Sequence, residues 1–212
     1  MSIKRYYEKY WKNELPPMMF FNEPPKWPEK TVKRYVSFVR CWIGPFDFIL
    51  DFGSGEGHFV NILKKMHIGA EACGVDISEE AVKKARKIYP FGDFFDTTKD
   101  IGFNFDVITC FDVFEHIFDF DEVFDYFDKH LKKGGRLIIA TNENCFIKMV
   151  AIGLFYMDNF FHWASPHIRF FTKKSLEEML KYYGYKVIHF ERTGNNFGFL
   201  STGQFVVAEK VR

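Results

Sequence analysis

The residues with the most evident chemical capacity lie in one run, Ile49-Leu50-Asp51-Phe52-Gly53-Ser54-Gly55-Glu56-Gly57-His58-Phe59. It spells D-x-G-x-G-x-G where an apolar, strand-like stretch gives way to a helix-like one. Glycine at 53, 55 and 57 lets the chain turn tightly and lets a ligand rest against bare backbone. Two phosphate-binding readings weaken at this loop. A dinucleotide fingerprint, G-x-G-x-x-G, calls for glycine where His58 stands, and no G-K-[ST] follows to make a P-loop. Asp76, closing the next strand-like run, can accept hydrogen bonds from both hydroxyls of a ribose. Its plainer alternative is a turn-forming Asp ahead of a helix. Strand, glycine loop, helix, strand and acid in that order favour a nucleoside ligand held without a phosphate-specific clamp.

Three histidines offer a general base: His116, His162 and His167, each also readable as a packed or surface imidazole. Glu115 beside His116 could bind a divalent metal, but two neighbouring residues are too few ligands, and no metal is assigned.

The elements that must position these groups alternate along the chain. Strands are expected at Phe46–Asp51, Ala72–Asp76, Phe91–Asp96, Asp106–Phe111 and Arg136–Thr141. Between them lie helical stripes through Phe59, Ile62, Leu63 and Met66, through Ala81, Ala85 and Ile88 behind a Ser78 cap, and through Phe120, Val123, Phe124, Phe127 and Leu131, the last ending at Gly134-Gly135. Such alternation implies a mainly parallel sheet with helices on both faces. Ahead of it, residues 1–45 form a preface: Tyr6, Tyr7, Tyr10 and Trp11 recur at helical spacing, prolines interrupt, and Thr31 caps a second helix. Residues 142–171 lack a clean period and are rich in aromatics. Thr172 then caps a helix that Gly184 stops, and two strands, Lys186–Arg192 and Gln204–Val211, should pair antiparallel.

At 212 residues the chain is long enough for one domain with at most a small attachment. Its 29 basic and 28 acidic residues nearly cancel, so no overall field favours nucleic acid. A hydrophobic content of 47% excludes disorder. Cys41, Cys73, Cys110 and Cys145 form no C-x-x-C pair, which excludes a zinc knuckle and suits free thiols in a reducing compartment. The charged N-terminal residues carry no apolar run, so no signal peptide is expected, and the longest apolar stretch, Met149 to Met157, is too short to span a bilayer. A cytoplasmic protein is expected.

Five segments in this order, ILDFGSGEGHF, GVDIS, FDVITCFDVFEHI, LKKGGRLIIAT and HIRFFTKKSLEEMLKYYGYKV, resemble the class I S-adenosylmethionine-dependent methyltransferases. Within these the likeness is to the small-molecule group that includes the ubiquinone-biosynthesis O-methyltransferases. It runs from about Phe46 to the C-terminus. The resemblance implies a Rossmann-like, doubly wound α/β fold with a seven-stranded sheet and an antiparallel C-terminal hairpin strand. It implies a methyltransferase domain over 46–212, a substrate-side insertion at about 142–171 and an N-terminal helical cap or lid over 1–45. The implied cofactor is S-adenosyl-L-methionine, with S-adenosyl-L-homocysteine as product. By the same resemblance Asp51, Gly53, Gly55 and Gly57 approach the methionyl part, Asp76 holds the ribose, and Ile77 lies beside the adenine. Asp96 meets the adenine amino group, with Asp93 as its rival, and Phe111-Asp112 faces the methionine side.

The expected function is methyl transfer to a small acceptor, aromatic or apolar, with O-methylation favoured and His116 and His167 as the catalytic candidates. A catalytically silent binding or scaffold protein on the same fold is the alternative. A protein or RNA methyltransferase is disfavoured by the balanced charge and by Phe111-Asp112-Val113-Phe114 where amino-group methylation of nucleic acid uses Asn-Pro-Pro-Tyr. No nucleic-acid partner and no transmembrane segment are expected. The acceptor and the oligomeric state stay open.

Overall fold

The computed structural model describes residues 2–15, 29–97, 101–142, 146–155, 157, 167–194 and 201–212. Seven strands run β1 (Phe48–Phe52), β2 (Glu71–Asp76), β3 (Asp93–Asp96), β4 (Phe105–Phe111), β5 (Leu131–Thr141), β6 (Tyr185–Gly194) and β7 (Ser201–Lys210). They hydrogen-bond in the order β3-β2-β1-β4-β5-β7-β6. β1 lies parallel to β2 and β4, and β2 parallel to β3. β7 runs antiparallel to both β5 and β6. The order steps outward from β1 in one direction and from β4 in the other, which makes the doubly wound α/β sheet expected from the sequence. The chain divides within β4 into two compact units, the first holding the described residues up to Thr109 and the second those from Cys110 onward.

In the first unit, helices α1 (Ile3–Trp11), α2 (Glu29–Val39), α3 (His58–Lys65) and α4 (Glu79–Ile88) accompany the parallel strands. Every residue of β1 and β2 after the first is buried, which is why both read as unbroken apolar runs. Ser78 caps α4 as expected, its hydroxyl accepting from the Ala81 N–H at 3.3 Å. Three details differ from the sequence reading. α2 begins at Glu29, so Thr31 sits inside its first turn instead of capping it. Val60 and Val82 take inward places beside Phe59 and Ala81, since a stripe about 100° wide admits adjacent positions. Met66, past the end of α3, and Ile88, in the last turn of α4, come round to solvent instead.

The second unit holds a 3-10 turn (Phe114–His116), α5 (Phe120–His130), α6 (Phe146–Phe155) and α7 (Lys173–Tyr182) with β5 to β7. α5 ends at His130, and Gly134-Gly135 belongs to β5, contrary to the expected helix end. The stop comes from far along the chain. Lys210 donates its Nζ to the carbonyls of Asp128 at 2.6 Å and Leu131 at 3.0 Å, satisfying the helix's orphan acceptors. α6 departs from the sequence reading too, because it is apolar on all sides and shows no period. Thr172 caps α7 in a reciprocal pair with Ser175, and Gly184 terminates it at φ +85. Phe114, Phe124 and Phe127 are fully buried and Phe124 stacks on Tyr183 at 4.0 Å, so much of the phenylalanine content is core. Among the described residues no helix is long and apolar enough to cross a membrane.

Candidate functional site

The glycine loop leaves β1 and is tied at once to β2. The N–H groups of Gly53 and Ser54 both donate to the Val75 carbonyl, at 2.8 and 2.9 Å. Gly53, Gly55 and Gly57 stand at φ +77, +52 and +78, the left-handed region that glycine enters without a Cβ penalty. A Cβ at Gly57 would overlap the Phe94 ring of β3, and one at Gly55 would come within 2.9 Å of the Trp11 ring. At both positions a side chain would collide with a neighbouring ring. Ser54 Oγ is buried against Gly74 of β2, without a hydrogen-bond partner among the described residues.

Asp76 ends β2, fully among buried atoms, with Oδ2 accepting from Gly55 N–H and Oδ1 from Ser78 N–H, both at 2.9 Å. The Ile77 N–H also donates to this carboxylate, so backbone donors fix its orientation. Asp51, on β1, accepts from Thr109 Oγ1 at 2.8 Å, and these two residues are register partners where the strand order reverses. Asp96 pairs in register with Asp76 at the same end of the sheet. Asp93 lies about 10 Å back along the strand and is drawn to Lys64 at 3.2 Å. The geometry thus groups Asp96, and not Asp93, with Asp76. Ile77 follows Asp76 and is half-buried.

The two central acids are costly to ionise. Burial lifts the Asp51 carboxyl to about 7, against the Thr109 hydrogen bond and with help from the charge of Asp76. Burial lifts Asp76 to about 6, against the N–H groups of Ser78 and Gly55 and with help from Glu8. A carboxyl whose folded pKa exceeds its unfolded value keeps its proton longer when folded, so stability falls as pH rises through that window. For Asp51 the full span from the ordinary carboxyl range to pH 7 is worth at most about 4 kcal/mol. Asp51→Asn keeps an acceptor for Thr109 and removes the titration. Urea unfolding at pH 7.5 should show the variant more stable than wild type, with the gap narrowing as pH falls toward the ordinary carboxyl pKa, about 3.9. Parallel pH profiles for the two proteins would refute the assignment.

α1 is fastened beside this loop by polar contacts to α4. Lys4 pairs with Glu79 at 2.8 Å, Glu79 N–H donates to Glu8 Oε1 at 2.6 Å, and Lys84 Nζ donates to the Trp11 carbonyl at 2.5 Å. The sequence does not mark Glu8 or Trp11 as part of a site. The available signal is the Tyr-Tyr-Tyr-Trp periodicity, which marks a covered face but not what it covers.

In the second unit a different group of side chains converges. The Glu115 carboxylate is buried, accepting from Thr141 Oγ1 at 2.7 Å and from Asn142 Nδ2 at 2.9 Å. Burial raises its pKa, against these hydrogen bonds. The Glu115 carbonyl accepts from the N–H groups of Ile168 and Arg169, at 3.0 and 3.1 Å. Arg169 reaches on to the Phe118 carbonyl at 2.9 Å. These bonds stitch the segment entering α7 to the 3-10 turn after β4. As a result the rings of His116 and His167 lie 4.8 Å apart and 30° from parallel. Ligand atoms of Glu115, His116 and His167 fall within 4.8 Å of one another. His162 lies outside the described residues. Phe111 is buried with its ring against Phe205. Asp112 follows at φ +55 with its N–H on the Ala140 carbonyl, fixing the turn out of β4.

This geometry has counterparts among known proteins. The methyltransferase domain family matches residues 5–190, from within α1 to within β6. A ubiquinone biosynthesis O-methyltransferase of Idiomarina loihiensis is 26% identical over 150 residues, covering 62% of this chain and 58% of that protein. Another, from Thiobacillus denitrificans, is 31% identical over 114 residues, covering 49% of this chain and 48% of that one. The chain thus matches about half the length of these curated relatives. Magnesium protoporphyrin IX methyltransferase from Synechocystis, solved with S-adenosylhomocysteine bound, shares the fold with a TM-score of 0.61 at 18% identity, over 85% of this chain and 82% of that one. The seven-stranded sheet with its antiparallel last strands agrees with that likeness. The chain belongs to the methyltransferase domain family.

Proposed function

We propose that this chain methylates a hydroxyl of a small, aromatic or apolar acceptor. The observation that carries the acceptor side is the pair His116 and His167 gathered on a buried Glu115 beside the C-terminal end of β5, the strand end at which open α/β sheets take ligands. Oxygen as the receiving atom is supported by the names of the two curated relatives, both O-methyltransferases. The bound sulfonium supplies an electrophilic methyl group, and the chain's task is to bind, orient and keep water away.

In this reading Asp76 receives the ribose hydroxyls, Gly53, Gly55 and Gly57 admit the methionyl part against their backbone, and Asp51 shapes the loop's root. Ile77 and Asp96 flank the adenine, and the Phe111 backbone borders the methionine side. His116 and His167 activate the acceptor hydroxyl. α1 acts as a lid on the donor site, and residues 142–171 form the acceptor side. The chain works in the cytoplasm on a small molecule, without nucleic acid.

The test is to incubate the purified chain with methyl-labelled donor and a small-molecule fraction of cell extract. A labelled product carrying an O-methyl group is expected. Label on protein or RNA, binding of NAD in preference to adenosyl ligands, or donor binding with no transfer to any fraction would each overturn the reading.

A further inference from the structure

We propose that Glu8 of α1 shares the donor's ribose with Asp76, each carboxylate taking one of the two hydroxyls. This deepens the donor side of the reading above and rests on it. A carboxylate offers about four acceptor positions. Asp76 already gives three of them to the N–H groups of Gly55, Ser78 and Ile77. Room is left for about one more donor, whereas a ribose diol brings two.

The second acceptor stands on α1. Glu8 accepts from the Glu79 N–H through Oε1 at 2.6 Å, and its Oε2 takes no hydrogen bond among the described residues. Its side chain is half-buried. Ser78 and Glu79 are consecutive, so two adjacent N–H groups hold one carboxylate each, Asp76 on the first and Glu8 on the second. The two acids are close enough for the charge of Glu8 to help raise the Asp76 carboxyl. The start of α4, whose dipole favours negative charge, offsets part of their repulsion. So does Lys4, which pairs with Glu79 at 2.8 Å and also feels the charge of Glu8. A diol donating one O–H to each carboxylate adds two charge-assisted hydrogen bonds at this point. α1 meets the glycine loop as well, since the Trp11 ring stands 2.9 Å from where a Gly55 Cβ would be. Glu8 and Trp11 are three positions apart in one helix and so lie on the same face. That face reaches both the loop and the acid assigned to the donor.

The experiment separates ribose binding from a plain brace between α1 and α4. S-adenosylhomocysteine and its 2′-deoxy and 3′-deoxy analogues are titrated calorimetrically into the full chain and into Glu8→Gln, with no methyl acceptor present. Glutamine keeps an oxygen for the Glu79 N–H and puts an amide nitrogen, which cannot accept, in place of the other. Glu8→Gln should weaken S-adenosylhomocysteine by about 10-fold or more, the range of hydrogen bonds to charged groups. One deoxy analogue should bind variant and wild type within about 2-fold of each other, because the hydroxyl that Glu8 holds is already gone. The other should show the full loss. Equal losses for all three ligands would reduce Glu8 to a brace and overturn the proposal, since a loosened α1 weakens every ligand alike. Unchanged affinity for S-adenosylhomocysteine would overturn it too. A wild type that binds none of the three removes the donor reading and this proposal with it. A chain that shows the expected pattern but transfers no methyl group refutes only the acceptor chemistry proposed above.

Discussion

Alanine at His116 or at His167 should lower methyl transfer by about 10²–10⁴-fold while S-adenosylhomocysteine binds as tightly as to wild type. The two effects separate because different side chains serve them. Both imidazoles belong to the second unit, gathered by Glu115, whereas the glycine loop, Asp51, Asp76 and Asp96 belong to the first. Each histidine is half-buried at the end of a short, well-anchored segment, so truncation leaves the fold intact. Asn142→Ala should fall between the variants and wild type, since it removes one of two side-chain donors from the Glu115 carboxylate and keeps Thr141. The decisive measurement is kcat/KM with the identified acceptor beside calorimetric donor affinity. Full activity in both histidine variants, or activity and donor affinity lost in equal measure, would remove these residues from the chemistry.

The second large effect is on the donor. Gly55→Val should reduce S-adenosylhomocysteine binding by more than about 100-fold, because a β-branched residue is strained at positive φ by roughly 1–3 kcal/mol before any clash. The clash is also present: the new Cβ would stand 2.9 Å from the Trp11 ring. Asp76→Ala should weaken binding by about 5–150-fold, equivalent to 1–3 kcal/mol for unsatisfied buried groups. Part of that loss comes from the loop itself, since the Gly55 and Ser78 N–H groups lose their acceptor. Protonation acts in the same direction. Burial places the Asp76 carboxyl at about 6, and the ribose requires its ionised form, so donor affinity should fall as pH drops below 6. Equal affinity for wild type and Asp76→Ala would sink the assignment.

These two regions differ in how far apart their parts lie along the chain, and that difference decides how legible each is in the sequence. The donor loop is local. An apolar run, glycines with positive φ, a capped helix and an acid at the end of the next strand all arise from backbone sterics and side-chain patterning over a few residues. Sequence alone therefore determined the strand–loop–helix–strand core, the Ser78 and Thr172 caps, the antiparallel last pair and the acid at 76. Tertiary structure decided the rest, wherever the partners are far apart in the chain. The choice of Asp96 over Asp93 needed the β2–β3 register and the pull of Lys64. The end of α5 needed Lys210, and the cover beside Gly55 needed Trp11. α6 was illegible because a helix apolar on every side has no period to detect. Glu115 and His116, adjacent in sequence, give no sign of a third partner. Only the hydrogen bonds from Ile168 and Arg169 back to the Glu115 carbonyl bring His167 to them, and local propensity has no means of expressing a contact between segments so distant.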